Sequence, residues 1–115
     1  EKMGQWVKGK SADTFGPMGP YLVTKDEISD VQKLNLSLDL NGKRMQTGNT
    51  SKMIFNMNFI LSYLSNFMSL QPGDIVTTGT PPGVGMGKKP QVFLKSGDEI
   101  NLSIDHLGNQ HQKVK

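Results

Sequence analysis

Leu34, Leu36, Leu38 and Leu40 alternate with polar residues, the period of a strand with one face against a core. Asn41-Gly42 follows at once. A type I′ turn needs positive φ at both central residues, and Asn-Gly is the pair that meets this most readily, so the pattern predicts a hairpin whose return strand begins Lys43-Arg44-Met45-Gln46. Ile100, Leu102 and Ile104 repeat the alternation behind a Ser96-Gly97-Asp98 turn, and a Leu107-Gly108-Asn109 turn leads into a last strand. Shorter β-prone runs stand at residues 21–24 (YLVT), 74–79 (DIVTTG) and 92–94 (VFL).

One stretch changes period. Met53, Ile54, Met57, Ile60, Leu61, Leu64 and Met68 recur at helical spacing, preceded by capping side chains in GNTS (48–51) and stopped by Pro72-Gly73. Methionines can build an adaptable binding face, but a stripe at this period reads as core. The spacing predicts one main helix over about 51–68. Strands surround it without the regular strand and helix alternation of a doubly wound sheet, so the class expected is α+β and strand-rich.

Composition narrows the chemistry. A chain of 115 residues suits one domain with a modest core, and 35% hydrophobic with 20% charged residues argues against disorder. There is no cysteine, which excludes disulfides, thiolate metal sites and cysteine nucleophiles. The net charge of +3 comes from lysines scattered through turns and strand ends, so no nucleic-acid partner is expected. No run approaches the roughly 18 apolar residues of a membrane span, and the opening EKMGQWVKGK has no signal-peptide core, which together lead to the expectation of a soluble, cytoplasmic protein without a membrane partner.

Two stretches are dense in chemistry. GTPPGVGMGKKP (79–90) has its glycines spaced G-x-G-x-G, which is not the dinucleotide fingerprint, and Pro82 stands where a phosphate loop needs glycine. Both nucleotide motifs also open a helix, whereas KKPQVFL reads as strand after a proline. Two readings remain: a long surface turn, or a loop whose Thr80, rigid Pro81-Pro82 and close-approaching glycines suit a carboxylate. The second stretch, GKSADTFGPMGP (9–20), is too irregular for helix or strand and sets Lys10, Ser11, Asp13 and Thr14 beside two Gly-Pro units. Lys10 is either a solvated turn lysine or a fixed positive charge for an anionic substrate.

Taken in order, GKSADTFGPMGPYLVTKDEI, LNGKRMQTGNTSKMIF, LSYLSNFMSLQPGDIVTTGTPPGVGMGKKP and FLKSGDEI resemble the fumarylacetoacetate hydrolase family, across essentially all 115 residues. The resemblance implies the mixed β-sandwich/roll of that family's C-terminal domain and makes residues 1–115 one partial domain, the C-terminal portion of the catalytic domain. It implies that Lys10 contacts a substrate carboxylate or enolate oxygen, that Thr14 lines the same site, that Thr80 meets the substrate carboxylate, and that Gly79 makes the tight turn that brings it there. It further implies Mg²⁺ or Mn²⁺, held by a Glu-x-Glu pair and an Asp lying N-terminal to the match of Lys10. No Glu-x-Glu occurs in this sequence, so no metal ligand is expected here, and the family's catalytic histidine also lies upstream; His106 and His111 read as exposed turn residues.

In the family's chemistry the metal acts as a Lewis acid on a 2-oxo carboxylate while a carbon–carbon bond breaks after water adds to a neighbouring carbonyl. The run SLQPGDIVTTGTPPGVGMGKKP looks nearest to the diketo sugar-acid hydrolases and ureidoglycolate lyases. The resemblance therefore implies a homodimeric 2,4-diketo-acid hydrolase acting on a small keto acid, with ureidoglycolate cleavage, dienedioate isomerisation and oxaloacetate decarboxylation as alternatives. A noncatalytic anion-binding β domain is the alternative of another class.

Overall fold

The alternating leucines form the centre of a sheet. In the computed structural model, which describes residues 4–115, β1 (Asn35–Leu40) turns into β2 (Lys43–Asn49) through Asn41 and Gly42 at φ 50° and 76°. Both values are positive, as a type I′ turn requires. β3 (Glu99–Ile104) and β4 (Gly108–Lys113) make a second hairpin, and the four strands form one antiparallel sheet of order β2-β1-β3-β4.

Register sorts the side chains. Leu36, Leu38 and Leu40 lie opposite Ile104, Leu102 and Ile100, so six apolar side chains share one face. The other face is polar and tied across the strands: Ser37 Oγ lies 3.0 Å from Ser103 Oγ, Asn49 Nδ2 donates to Asn35 Oδ1 at 2.8 Å, and Arg44 pairs with Asp39.

One irregularity interrupts the β1–β2 ladder. Asp39 pairs with Arg44 but Leu38 pairs with Gln46, leaving Met45 as the extra residue of a β-bulge. Strict alternation would have put Met45 opposite Leu38. The bulge instead turns Gln46 onto the apolar face.

Two segments cover that face. Residues 79–94 lie over β1, β2 and the start of β3, leaving a cleft of about 210 Å³ lined by Leu38, Met45, Gln46, Val84 and Val92 among others. Residues 19–23 lie over β3 and β4, where Tyr21 and Val23 line a second cleft with Leu102 and Ile104. The runs at 21–24, 74–79 and 92–94, read above as strands, carry no ladder. Their β-prone residues favour extended backbone, but a strand needs a partner edge to hydrogen-bond, and none of the three pairs with a strand of this sheet.

The main helix is shorter than its apolar stripe. α2 is Met57–Ser65, with Asn56 as its cap accepting from Phe59 N at 2.8 Å. The GNTS side chains serve an earlier turn, a 3₁₀ helix at Thr50–Lys52 capped by Asn49. Thr50 is committed elsewhere: its hydroxyl donates to Val31 O at 2.8 Å and accepts from Leu34 N at 2.9 Å. Gln32 then fixes the start of α2, accepting from Met57 N at 2.8 Å and donating to Thr50 O at 2.9 Å. A five-residue helix not expected from the sequence, α1 (Trp6–Lys10), precedes the first dense stretch.

The stripe is only partly internal. Met53, Met57, Ile60 and Leu64 are half-buried, while Ile54, Leu61 and Met68 are exposed, and Phe55, Phe59, Tyr63 and Phe67 form a row of contacting rings on the outside. Among the described residues Leu34, 5% exposed, is the one buried hydrophobic residue. No helix among them is long and apolar enough to cross a membrane.

Candidate active site

The glycine-rich loop is fastened to β2. Gln46 Nε2 donates to Thr80 Oγ1 at 2.9 Å and to Pro81 O at 2.7 Å. Pro81 also packs on Gly48, where a Cβ would stand 2.8 Å from the Pro81 Cβ. One turn further on, Gly83 has φ 111° and lies against the Met45 carbonyl oxygen, so closely that any Cβ would collide with it. The bulge thus supplies two of the contacts that seat the loop, the Gln46 amide and the Met45 carbonyl.

Gly79 adopts φ 91°, in the left-handed region that favours glycine, and sets Thr80 at an exposed position of the loop. Among the described residues the Thr80 hydroxyl has two polar neighbours, Gln46 Nε2 and, at a longer 3.3 Å, Pro81 O.

Lys10 ends α1 and is exposed, with its Nζ 5.9 Å from the centre of the Trp6 ring. The ring's negative face attracts the ammonium. Thr14 is exposed at φ 69°, in a turn closed by Phe15 N donating to Ala12 O at 3.0 Å. A β-branched residue rarely takes positive φ, and such strain, of order 1–3 kcal/mol, collects at functional loops.

The two stretches are anchored on one face, the second of them at Gly19. Gln110 Nε2 on β4 donates to Gly19 O, at the end of the Lys10 stretch. Gln110 pairs with Leu102, Leu102 with Leu38, and Leu38 with Gln46, so the two anchoring glutamines end one cross-strand row. Three strand spacings separate them, about 14 Å. No hydrogen bond joins the stretches directly among the described residues, and neither cleft is lined by Lys10, Thr14, Gly79 or Thr80. The candidate residues therefore stand on open surface.

No group of three or more His, Cys, Asp or Glu side chains able to hold a metal occurs among the described residues. The divalent ion implied by the resemblance does not fit the donors present. Both histidines are exposed, His106 in the β3–β4 turn at φ 64° and His111 with Nδ1 2.6 Å from Asn101 Oδ1, a structural contact on the polar face. Gln46 is the residue the sequence reading passed over. Its only signal is a polar side chain beside a bulge, and the bulge is invisible to alternation.

The profile of the fumarylacetoacetate (FAA) hydrolase C-terminal domain matches residues 1–115, and the chain belongs to the fumarylacetoacetate hydrolase family. It is 58% identical over 111 residues to a 2,4-didehydro-3-deoxy-L-rhamnonate hydrolase from Sphingomonas sp. strain SKA58, covering 96% of this chain and 39% of that one. Its fold is similar to a fumarylacetoacetate hydrolase from Exiguobacterium antarcticum, at TM-score 0.90 and 42% identity over 94% of this chain and 39% of that one. It is also similar to a maleylpyruvate hydrolase from Sphingobium sp. SYK-6 solved with manganese(II) and pyruvate, at TM-score 0.76 and 34% identity over 84% of this chain and 34% of that one. The chain spans about two fifths of the length of the curated relatives it matches, 41% for a Burkholderia cenocepacia relative.

Proposed function

We propose that these residues form the substrate side of an enzyme that hydrolyses a carbon–carbon bond in a 2,4-diketo acid. The observation that carries this reading is the shared face: the Thr80 loop and the Lys10 stretch are both fastened to one cross-strand row of the sheet. Thr80 offers a hydroxyl and Lys10 an exposed cation, the groups an anionic 2-oxo acid needs. The strained Thr14 turn next to Lys10 supports the same assignment. The names of two relatives, a didehydro-deoxy-rhamnonate hydrolase and a maleylpyruvate hydrolase, support hydrolysis of such acids.

In the proposed reaction water adds to the C4 carbonyl, and the C3–C4 bond then breaks. Its electron pair stays on C3, giving the enolate of a pyruvate-type product and a free carboxylic acid. Thr80 holds the C1 carboxylate, and the Lys10 ammonium lies beside the enolate oxygen as its charge grows. Protonation at C3 completes the balance. The Mg²⁺ or Mn²⁺ ligands belong, in this reading, to polypeptide outside residues 1–115.

The test is kinetic, on the full-length gene product with an acylpyruvate. Lys10→Met is expected to lower kcat/KM about 100-fold or more, since removing one preorganised partner of an oxyanion has that scale. Thr80→Val is expected to raise KM about 10-fold, the scale of one hydrogen bond to a charged group. Wild-type constants in both variants would contradict the assignment.

A further inference from the structure

Gln46 orders the hydrogen bonding of the residue proposed to meet the substrate. Its side-chain amide faces two oxygens, and one of them decides the amide's orientation. Pro81 O can only accept, so the nitrogen end must point to it, at 2.7 Å. The second N–H then reaches Thr80 Oγ1 at 2.9 Å, and the threonine oxygen is an acceptor in that bond.

A hydroxyl that accepts from one partner keeps its single proton for another. Within the loop the proton has one outlet, Pro81 O at 3.3 Å, longer than the bond Pro81 O already receives from Gln46. An incoming carboxylate is a stronger acceptor than that carbonyl. Half-buried beneath the loop, Gln46 also has less freedom than a surface side chain to turn away.

We propose that Gln46 is a positioning residue that commits the Thr80 hydroxyl to donate to an anionic ligand, and that the bulge at Met45 exists to put Gln46 beneath it. The proposal rests on the reading of Thr80 as a carboxylate contact. It adds a direction to that contact: the site favours an acceptor over a neutral donor in the same place.

The experiment is a double-mutant cycle on the full-length gene product, measuring KM and kcat for an acylpyruvate. Gln46→Met and Thr80→Val are each expected to raise KM about 10-fold with a smaller change in kcat. The double variant is expected to be no worse than Thr80→Val alone, because Gln46 acts through Thr80. Gln46→Glu, of nearly the same shape, supplies a readout that a packing role would not move. Its carboxylate cannot donate, but its protonated form can, so its KM is expected to fall as pH is lowered through the glutamate's titration, a limb absent from wild type.

Independent, multiplying effects in the double variant would overturn the positioning role, as would a Gln46→Glu profile parallel to wild type. Wild-type KM in Gln46→Met with a raised KM in Thr80→Val would sink this inference and leave the Thr80 assignment standing. An unchanged KM in Thr80→Val would remove both.

Discussion

Gln46 and Thr80, 34 positions apart in sequence, are joined by a 2.9 Å hydrogen bond from the Gln46 side-chain amide to the Thr80 hydroxyl. The bond exists because a bulge rotates one residue of β2 to the other face of the sheet. A loop without strand pairing of its own is thereby registered on a rigid ladder, which is how a site on a loop gains the placement of a site on a strand.

Gly83 tests the seating of that loop. A Cβ at φ 111° would be strained and would strike the Met45 carbonyl oxygen, part of the backbone and unable to swing aside. Gly83→Ala in the full-length gene product is expected to cost about 2–4 kcal/mol in urea unfolding or to lift the loop, raising KM as Thr80→Val does. Wild-type stability together with wild-type KM would show that the loop is not seated as described.

Thr50 tests the link between the sheet and the main helix. Its hydroxyl uses both roles, donating to Val31 O and accepting from Leu34 N beside the buried Leu34. Thr50→Val keeps the shape and strands both partners, with an expected cost of about 2 kcal/mol; Thr50→Ser keeps the hydroxyl and is expected to recover most of it. Wild-type stability of Thr50→Val with a destabilised Thr50→Ser, in denaturant titrations, would assign the role of Thr50 to its methyl group.

Asp98 tests the electrostatics beside the β1–β2 turn. Its carboxylate accepts from Asn41 Nδ2 at 2.9 Å and from Lys95 N at 2.8 Å, and these bonds, the Asn41 one first, hold its pKa below the usual carboxylate value. A group whose folded pKa is depressed stabilises the fold above its unfolded pKa, about 3.9 for Asp, and that contribution is lost as pH falls through the lower folded value. Asp98→Asn is therefore expected to be less stable than wild type at neutral pH, the gap narrowing below about pH 4. A gap of constant size from pH 7 to pH 2 would show that the charge is not the cause.

Much of the sheet was legible. Leu36, Leu38 and Leu40 alternate because one face must leave water, and Asn41-Gly42 announces its turn by the φ values it alone tolerates well. The helix was legible in kind but not in extent, because an apolar stripe continues past the residues that carry helical hydrogen bonds, and Thr50 spends its capping hydroxyl on Val31. Val23, Ile75 and Phe93 look like strand residues since β-propensity is local, whereas pairing depends on which edge is free. Lys10 and Thr80 stood as open candidates in the residues alone, and only likeness to a family chose between their two readings. The row from Gln46 to Gln110 that sets their loops on one face depends on three registers and a bulge, none of which a single sequence displays.

The most direct measurement is a crystal structure of the full-length gene product soaked with pyruvate. The expected result is a carboxylate within hydrogen-bond distance of Thr80 Oγ1, with Gln46 still donating to that oxygen and Lys10 Nζ turned toward the ligand. Pyruvate bound with Thr80 and Lys10 both facing solvent would contradict the assignment of this face as the substrate side.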